Sequence, residues 1–362
     1  MSRKNSNALA APKRKSRPAQ GPRRVAEGEH FAFAHQTNKA LGQHFLRDES
    51  VIARIALEAQ GSLPLGAPRQ AVEIGPGSGA LTKALLADGW ILVALEKDPR
   101  AAEGLRTHLV PQFPDALSVV ETDVLRWSPE AADAANEGSA RANQRVAGAD
   151  AVGNKAAADA VSENESGHKD AANEGSARVR PAKELCCGNL PYYITSDILF
   201  WFLTHAKHFS AGLFMIQDEV ADRLNARPGT KDYGRLTVRL QLSCTVEKVL
   251  FVPANAFVPP PKVNSAVVRL VPREEPPFAN AAEEKSFGTF TALLFSARRK
   301  MLRRALASDL DSLAHKGGEA AVAALWKKAG DFGIREDTRP DAIAPEGILA
   351  LFRLLRGGAN SI

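Results

Sequence analysis

Residues 71–86 read AVEIGPGSGALTKALL, and this stretch decides the fold. Ala71–Ile74 is a short apolar run that ends directly in Gly75-Pro76-Gly77-Ser78-Gly79, after which Leu81, Leu85 and Leu86 recur at helical spacing. A buried strand, a glycine turn and a helix in that order let the backbone approach a ligand and aim a helix N-terminus at it. Outward from this unit the pattern repeats. Ile91–Leu95 is a second continuous apolar strand ending in Glu96, and a helix follows from about Pro99 to Leu109. Leu117–Val120 and Glu184–Cys187 are further strands, Ile194–His205 is a strongly apolar helix, and Leu213–Ile216 is a fifth strand. Alternating βα units imply an α/β fold: a mainly parallel sheet covered on both faces, with ligands at the carboxyl ends of its strands. Val246–Val252 and Ser265–Val271 read as an antiparallel pair closing one sheet edge. From Phe278 onward the pattern is helical, clearest over Ser286–Ala307, then Ala320–Lys328 and Glu346–Leu355, giving a small C-terminal α-helical domain.

Two stretches fall outside this pattern. Residues 1–24 hold eight basic residues and no acidic one, so that of the 47 Lys and Arg in the chain 39 remain to face 41 Asp and Glu. The net charge of +6 is therefore largely the work of this tail. Rich in Ala, Pro and Ser, residues 1–37 are expected to be a basic disordered arm, either simply solvated or an auxiliary contact to nucleic-acid phosphate. Residues 129–182 contain no Leu, Ile, Met, Phe, Tyr or Trp, and DAANEGSAR occurs twice, at 133–141 and 170–178. Nothing there can form a core, so this is expected to be a low-complexity disordered insertion. The remaining chain divides into an α/β domain over 38–275 and a helical domain over 276–362.

Composition excludes several classes. At 44% hydrophobic residues the chain is not wholly disordered, and no apolar run approaches the roughly 18 residues of a membrane span. Cys186, Cys187 and Cys244 lack CxxC spacing and a histidine partner, which argues against a disulfide scaffold and a cysteine metal site. The sequence reads as soluble and cytoplasmic, with no metal, no membrane contact and a monomeric state expected.

The glycine loop by itself leaves its ligand open. Gly75, Gly77 and Ala80 fit GxGxxA, the nicotinamide dinucleotide fingerprint. Glu96 suits the ribose of either a dinucleotide or S-adenosylmethionine. Glu73, two residues before the first glycine, and Asp123 after the third strand, placed to accept from an adenine amino group, lean towards S-adenosylmethionine.

The chemistry is signalled by Gly188-Asn189-Leu190-Pro191-Tyr192-Tyr193 at the end of the fourth strand. Adenine N6 is a poor nucleophile because its lone pair is delocalised into the ring. Methylating it requires acceptors for the amino hydrogens, and an Asn189 side-chain carbonyl followed by the rigid Pro191 backbone carbonyl supplies two. Tyr192 offers a face on which an extruded base can stack. The bland alternative is an Asn-Pro turn.

Here the sequence resembles the rRNA adenine N6-dimethyltransferases, most closely the small-subunit branch. The resemblance runs from about Asn38 to Leu355, and the 129–182 insertion alone interrupts it. It is carried by Lys39–Leu46, Glu73–Gly79, Asn189–Tyr192, Gln217–Val220, Tyr233–Leu236, Phe257–Val263 with Ser265–Val268, and the Arg-Arg-Lys cluster at 298–300. It implies a Rossmann-like S-adenosylmethionine-dependent methyltransferase that dimethylates two adjacent adenosines in the 3′-terminal hairpin loop of 16S rRNA, within the small ribosomal subunit and late in its assembly. Carried over residue by residue, His44 and Leu46 contact the methyl donor and Gly75 lies against its methionine part. Glu96 holds the ribose, Asp123 the adenine, and Asn189 stands where donor and target meet. Phe257, presented from the stiff Pro259–Pro261 loop, is expected to stack on the target base, its bland alternative being a core Phe. His44 is given no acid–base role, and Cys186 and Cys187 are expected in the core.

RNA contact is expected from the helix that starts near Phe287, where Arg298, Arg299, Lys300, Arg303 and Arg304 place five cations within seven residues. Such contacts position a nucleic acid without reading its sequence; the bland alternative is a solvated helix face.

Overall fold

The computed structural model describes residues 44–130 and 183–357. The basic arm and nearly all of the expected insertion lie outside the described residues. The α/β part contains β1 (Phe45–Leu46), α1 (Glu49–Gln60), β2 (Gln70–Ile74), α2 (Ala80–Ala87), β3 (Ile91–Glu96), α3 (Pro99–His108), β4 (Leu117–Glu121) and β5 (Glu184–Asn189). It continues through α4 (Thr195–Thr204), β6 (Phe209–Gln217), α5 (Asp218–Leu224), α6 (Arg235–Ser243), β7 (Cys244–Val252), β8 (Phe257–Val258) and β9 (Ser265–Pro272). The helical part holds α7 (Ala281–Ser296), α8 (Leu302–Ala305), α9 (Ala307–Gly330) and α10 (Pro345–Leu355).

Seven strands form one sheet in the order β4-β3-β2-β5-β6-β9-β7. Neighbours from β4 to β6 pair in parallel, whereas β9 runs antiparallel to both β6 and β7. The expected antiparallel pair is thus present with its later strand on the inside, β9 inserting between β6 and β7. Central strands are buried on both faces, which is why they read as continuous apolar runs. Successive residues serve opposite sides: Ala71, Leu92, Leu185 and Cys187 join Leu85, Trp90 and Leu105 under α1 to α3. Val72, Ile74, Leu95 and Cys186 join Ile198, Phe202 and Phe214 under α4. Cys186, Cys187 and Cys244 are buried and unbridged, and burial pushes their thiols up, Cys244 to about 12. Local signals set the helix starts. The Asp48 carboxylate accepts from the Ser50 and Val51 N–H groups to cap α1, and Asp98 accepts from Arg100 N ahead of Pro99 in α3.

A third core joins the helical domain to the sheet. It gathers Phe278, Phe287, Leu294, Ile348 and Phe352 around Tyr233, Val238 and Leu242, so α6 and the tyrosine two residues before it serve both parts. Tyr233 Oη donates to Ile343 O at 2.7 Å, and Arg239 pairs with Glu284 at 2.8 Å. The helix expected over 286–307 breaks: α7 ends at Ser296, residues 297–301 turn, and α8 begins at Leu302. The Arg-Arg-Lys cluster therefore lies on a turn and not on a helix face.

At the near flank of the expected insertion Pro129 is buried, and Glu130 is held by His208 Nε2 at 2.8 Å and Lys207 Nζ at 3.2 Å. Lys183 O, on the other flank, accepts from Ser210 Oγ at 2.8 Å. Both flanks meet at the amino ends of β5 and β6. That end lies opposite the cleft at the strands' carboxyl ends.

Candidate active site

The glycine turn after β2 is left-handed at Gly75, Gly77 and Gly79, with φ of +64°, +55° and +76°. It also packs tightly: a Cβ at Gly77 would come within 3.0 Å of the Phe45 ring, and one at Gly79 within 2.8 Å of Leu105 and Leu109. Only glycine satisfies both demands. Opposite Gly75 lies the end of β5, where Asn189 O stands 3.9 Å from the Cβ that Gly75 lacks. Between them opens a cleft at the carboxyl ends of β2 to β6.

His44, Leu46, Gly75, Glu96, Asp123, Asn189, Leu190, Pro191 and Tyr192 all line this one cleft, although they come from five separate stretches of chain. Glu96 ends β3 with its carboxylate tied to the glycine turn: Oε2 accepts from Gly77 N at 3.0 Å and Oε1 from Asp98 N at 2.8 Å. Burial raises its pKa, opposed by those backbone donors. Each oxygen retains a lone pair, which suits a vicinal diol. Asp123 accepts from Lys97 Nζ at 2.8 Å and Leu125 N at 3.1 Å, and the Lys97 bond holds its pKa below the usual carboxylate range. It is an ionised acceptor at the cleft's edge. A glycine cradle at one end, an acceptor pair in the middle and an ionised acceptor at the other end, following the strand order β2-β3-β4, fit an adenosine carrying a charged amino-acid chain.

The Asn189 amide is oriented by its own contact. Nδ2 donates to His44 O at 3.1 Å, and Oδ1 has no partner among the described residues. His44 is itself fixed, its Nδ1 donating to Pro259 O at 2.8 Å and its ring stacking on Tyr192 at 5.8 Å and 27°. Tyr192 Oη shares a 2.7 Å hydrogen bond with Ser265 Oγ.

Two expectations need correction. Pro191 O accepts from Ile194 N at 3.2 Å and Thr195 Oγ1 at 3.0 Å, so both its lone pairs are used in starting α4. Leu190 lines the cleft and its O receives no hydrogen bond from the described residues, while its side chain lies in the core at 1% exposure; of the two carbonyls, this is the one left unspent. Phe257 does not line the cleft. It pairs with Leu46 in the small β1–β8 sheet and packs in the core at 1% exposure, so its ring has no free face for a base.

Sequence reasoning passed over Glu73 as a lining residue. It is 2% exposed, its Oε2 has no partner, and burial pushes its carboxyl up to about 7, with the Thr82 hydroxyl opposing and Glu96 adding. Lys97 and the exposed Tyr193 were also missed at the cleft's rim; the run Glu96-Lys97-Asp98 is the only signal that points to Lys97. Of the five cations offered for RNA, Arg299, Lys300, Arg303 and Arg304 are exposed. Arg298 is committed instead to the protein, donating to Lys231 O at 3.0 Å, and to Thr230 O and Asp341 Oδ2 at 3.4 Å each.

A family model described as ribosomal RNA adenine dimethylase matches residues 34–323. The chain belongs to the ribosomal RNA adenine dimethylase family. Among curated relatives of this dimethylase, "Ribosomal RNA small subunit methyltransferase A" of Chromohalobacter salexigens is 36% identical over 284 residues, covering 78% of this chain and 83% of the relative. The protein of the same name from Polaromonas naphthalenivorans is 38% identical over 283 residues, covering 78% and 86%. Among solved structures, the dimethylase fold is shared with a dimethyladenosine transferase from Plasmodium falciparum (TM-score 0.59, 22% identity, 85% of this chain and 96% of that one). The 23S rRNA methyltransferase ErmE gives a TM-score of 0.51 at 28% identity, covering 86% and 99%.

Proposed function

We propose that this dimethylase transfers methyl groups from S-adenosylmethionine to N6 of two adjacent adenosines in the 3′-terminal hairpin loop of 16S rRNA. The observation that carries the reading is the oriented Asn189 amide, whose pinned Nδ2 leaves Oδ1 as an acceptor in the cleft beside Leu190 O. Family membership and the names of the relatives support the rRNA substrate. Bound against Gly75, Glu96 and Asp123, S-adenosylmethionine supplies an electrophilic sulfonium methyl. Asn189 Oδ1 and Leu190 O accept the two N6 hydrogens, which draws the nitrogen towards sp³ and aims its lone pair along the cleft. The half-buried Tyr192 ring, held by His44 and Ser265, supports the base. Holding the nucleophile in line accounts for most of the rate, and no side chain is needed as a general base, because a methylated, cationic N6 loses its proton readily. Both acceptors are neutral, so a base already carrying one methyl still fits through its remaining hydrogen. The exposed cations of the helical domain support action on the small ribosomal subunit, and we take the enzyme as a cytoplasmic monomer. No helix among the described residues is long and apolar enough to cross a membrane.

The test uses purified protein, labelled S-adenosylmethionine and small subunits lacking this methylation, with large subunits as control. N6,N6-dimethyladenosine confined to small-subunit rRNA is the expected product. Label in large subunits alone would move the substrate to that particle, and binding without label would make this an assembly factor.

A further inference from the structure

Arg298 is the one member of the basic cluster that spends its guanidinium on the protein. Two of its bonds go to the carbonyls of Thr230 and Lys231, in the loop between α5 and α6, and the third to Asp341 in the helical domain. Asp341 grips the same loop through its backbone, its carbonyl accepting from Gly229 N at 2.6 Å. Residues 229, 230 and 231 of the α/β domain are thus held, one after another, by two residues of the helical domain.

This grip brings two sets of charges together. The loop carries Arg227 and Lys231, both exposed, and the turn and α8 carry the exposed Arg299, Lys300, Arg303 and Arg304. None of these six forms an ion pair among the described residues; the connecting segment carries Glu336 and Asp337, and Asp337 is paired with Arg335 at 2.6 Å. The segment from 336 to 341 ties the set into one surface, since Arg303 N donates to Glu336 O at 3.0 Å and Leu302 N to Thr338 O at 2.8 Å. Unpaired cations gathered from two domains repel one another, and a polyanion relieves that repulsion.

We propose that Arg298 and Asp341 form a clamp that fixes the Arg227–Lys231 loop beside Arg299–Arg304, making one RNA-phosphate surface across the domain boundary. The proposal rests on the rRNA substrate reading and extends it: Arg298 is a positioning residue, and Arg227 and Lys231 are phosphate contacts. A loop ordered before binding loses less entropy when phosphate arrives. Lysine cannot replace Arg298, because an ammonium cannot span two carbonyls and a carboxylate as a planar fork does.

The experiment measures binding of the full-length protein to unmethylated small subunits from 50 to 300 mM KCl, with thermal unfolding of each variant in parallel. Each lost phosphate contact flattens the plot of log Kd against log salt by roughly 0.7–0.9. Arg227→Gln combined with Lys231→Gln is expected to flatten it by about 1.4–1.8. Asp341→Asn is the sharper test. It removes a negative charge from a phosphate-binding surface, so electrostatics alone predicts tighter binding at an unchanged slope. The clamp predicts weaker binding and a slope as flat as that of the loop variant, which global destabilisation would not produce. Arg298→Lys is expected to bind as weakly as Arg298→Gln, whereas full rescue by lysine would make Arg298 a plain phosphate contact and overturn the clamp. If the clamp variants unfold early, the loop variant decides, since both its side chains are exposed. Wild-type affinity and slope in that variant would overturn the proposal while leaving the substrate reading intact. Failure of the wild-type protein to prefer small subunits would remove the substrate reading itself.

Discussion

Replacing Gly188 by alanine should damage fold and chemistry together. Gly188 precedes Asn189 in β5 with φ of +156°, and a Cβ there would lie 2.3 Å from Ile74 O and 3.2 Å from Ile74 C and N. The obstacle is the backbone of β2, which no rotamer change can move. The contact is roughly 1 Å too short for a carbon–oxygen pair, so β5 must slide away from β2 at the point where the two carry Asn189 and the glycine turn. Overpacking of this kind costs about 1–3 kcal/mol, and a Gly-only backbone conformation about as much again. The sum, about 2–6 kcal/mol, is a large share of the roughly 5–15 kcal/mol that holds a domain folded. At about 2–4 °C per kcal/mol the melting temperature should fall by roughly 4–24 °C. Urea unfolding followed by circular dichroism gives the first number. Turnover on unmethylated small subunits at a temperature where the variant is folded gives the second, expected to drop on the order of 10²-fold for an ångström of misplacement. A loss below about 0.5 kcal/mol together with near-normal turnover would refute the reasoning, because the two strands would then not be in the contact described.

Three further outcomes follow from the site. Asn189→Ala should lower kcat by about 10²–10³-fold while the Kd for S-adenosylmethionine moves little; an equal fall in both would assign Asn189 to cofactor binding. Burial raises the Glu73 carboxyl to about 7 from 4.5, so the folded state binds the proton more tightly than the unfolded one and wild-type stability drains away as pH rises from about 4.5 through 7. Glu73→Gln should therefore match the wild type near pH 4.5 and exceed it by about 3 kcal/mol at pH 8.5 in urea unfolding; a gap independent of pH would show that Glu73 does not titrate there. Replacing residues 131–182 by a short Gly-Ser link should leave dimethylation of small subunits within about twofold, because the flanks at Glu130 and Lys183 meet at the end of the sheet away from the cleft. A folded but inactive deletion would mean that the segment takes part in the reaction.

Most of the fold was legible because it is local. Strands β2, β3 and β5 bury both faces and so appear as apolar runs, and a glycine turn announces where the first of them stops. The position of β9 inside β7 was not legible, because nothing in the order of two strands says which one faces the sheet. In the site, the glycine turn, Glu96, Asp123 and Asn189 could be read off because each stands at a strand end, and parallel strands bring their carboxyl ends to one edge.

Residue type and order alone establish a set of chemical groups and the edge on which they meet: an acceptor-rich cleft with a glycine cradle and an Asn-Leu-Pro-Tyr segment. How each group is spent follows from the folded neighbours it meets. The Pro191 carbonyl is used to start α4, leaving Leu190 O for the cleft. Phe257 is drawn into the core by its pairing with Leu46, and Arg298 is turned inward by carbonyls far away in sequence, at 230 and 231. The physical reason is common to all three. Residue type and spacing state what a group can bond, but a donor or ring goes to whichever partner folding brings nearest, and those partners lie beyond the reach of any local pattern.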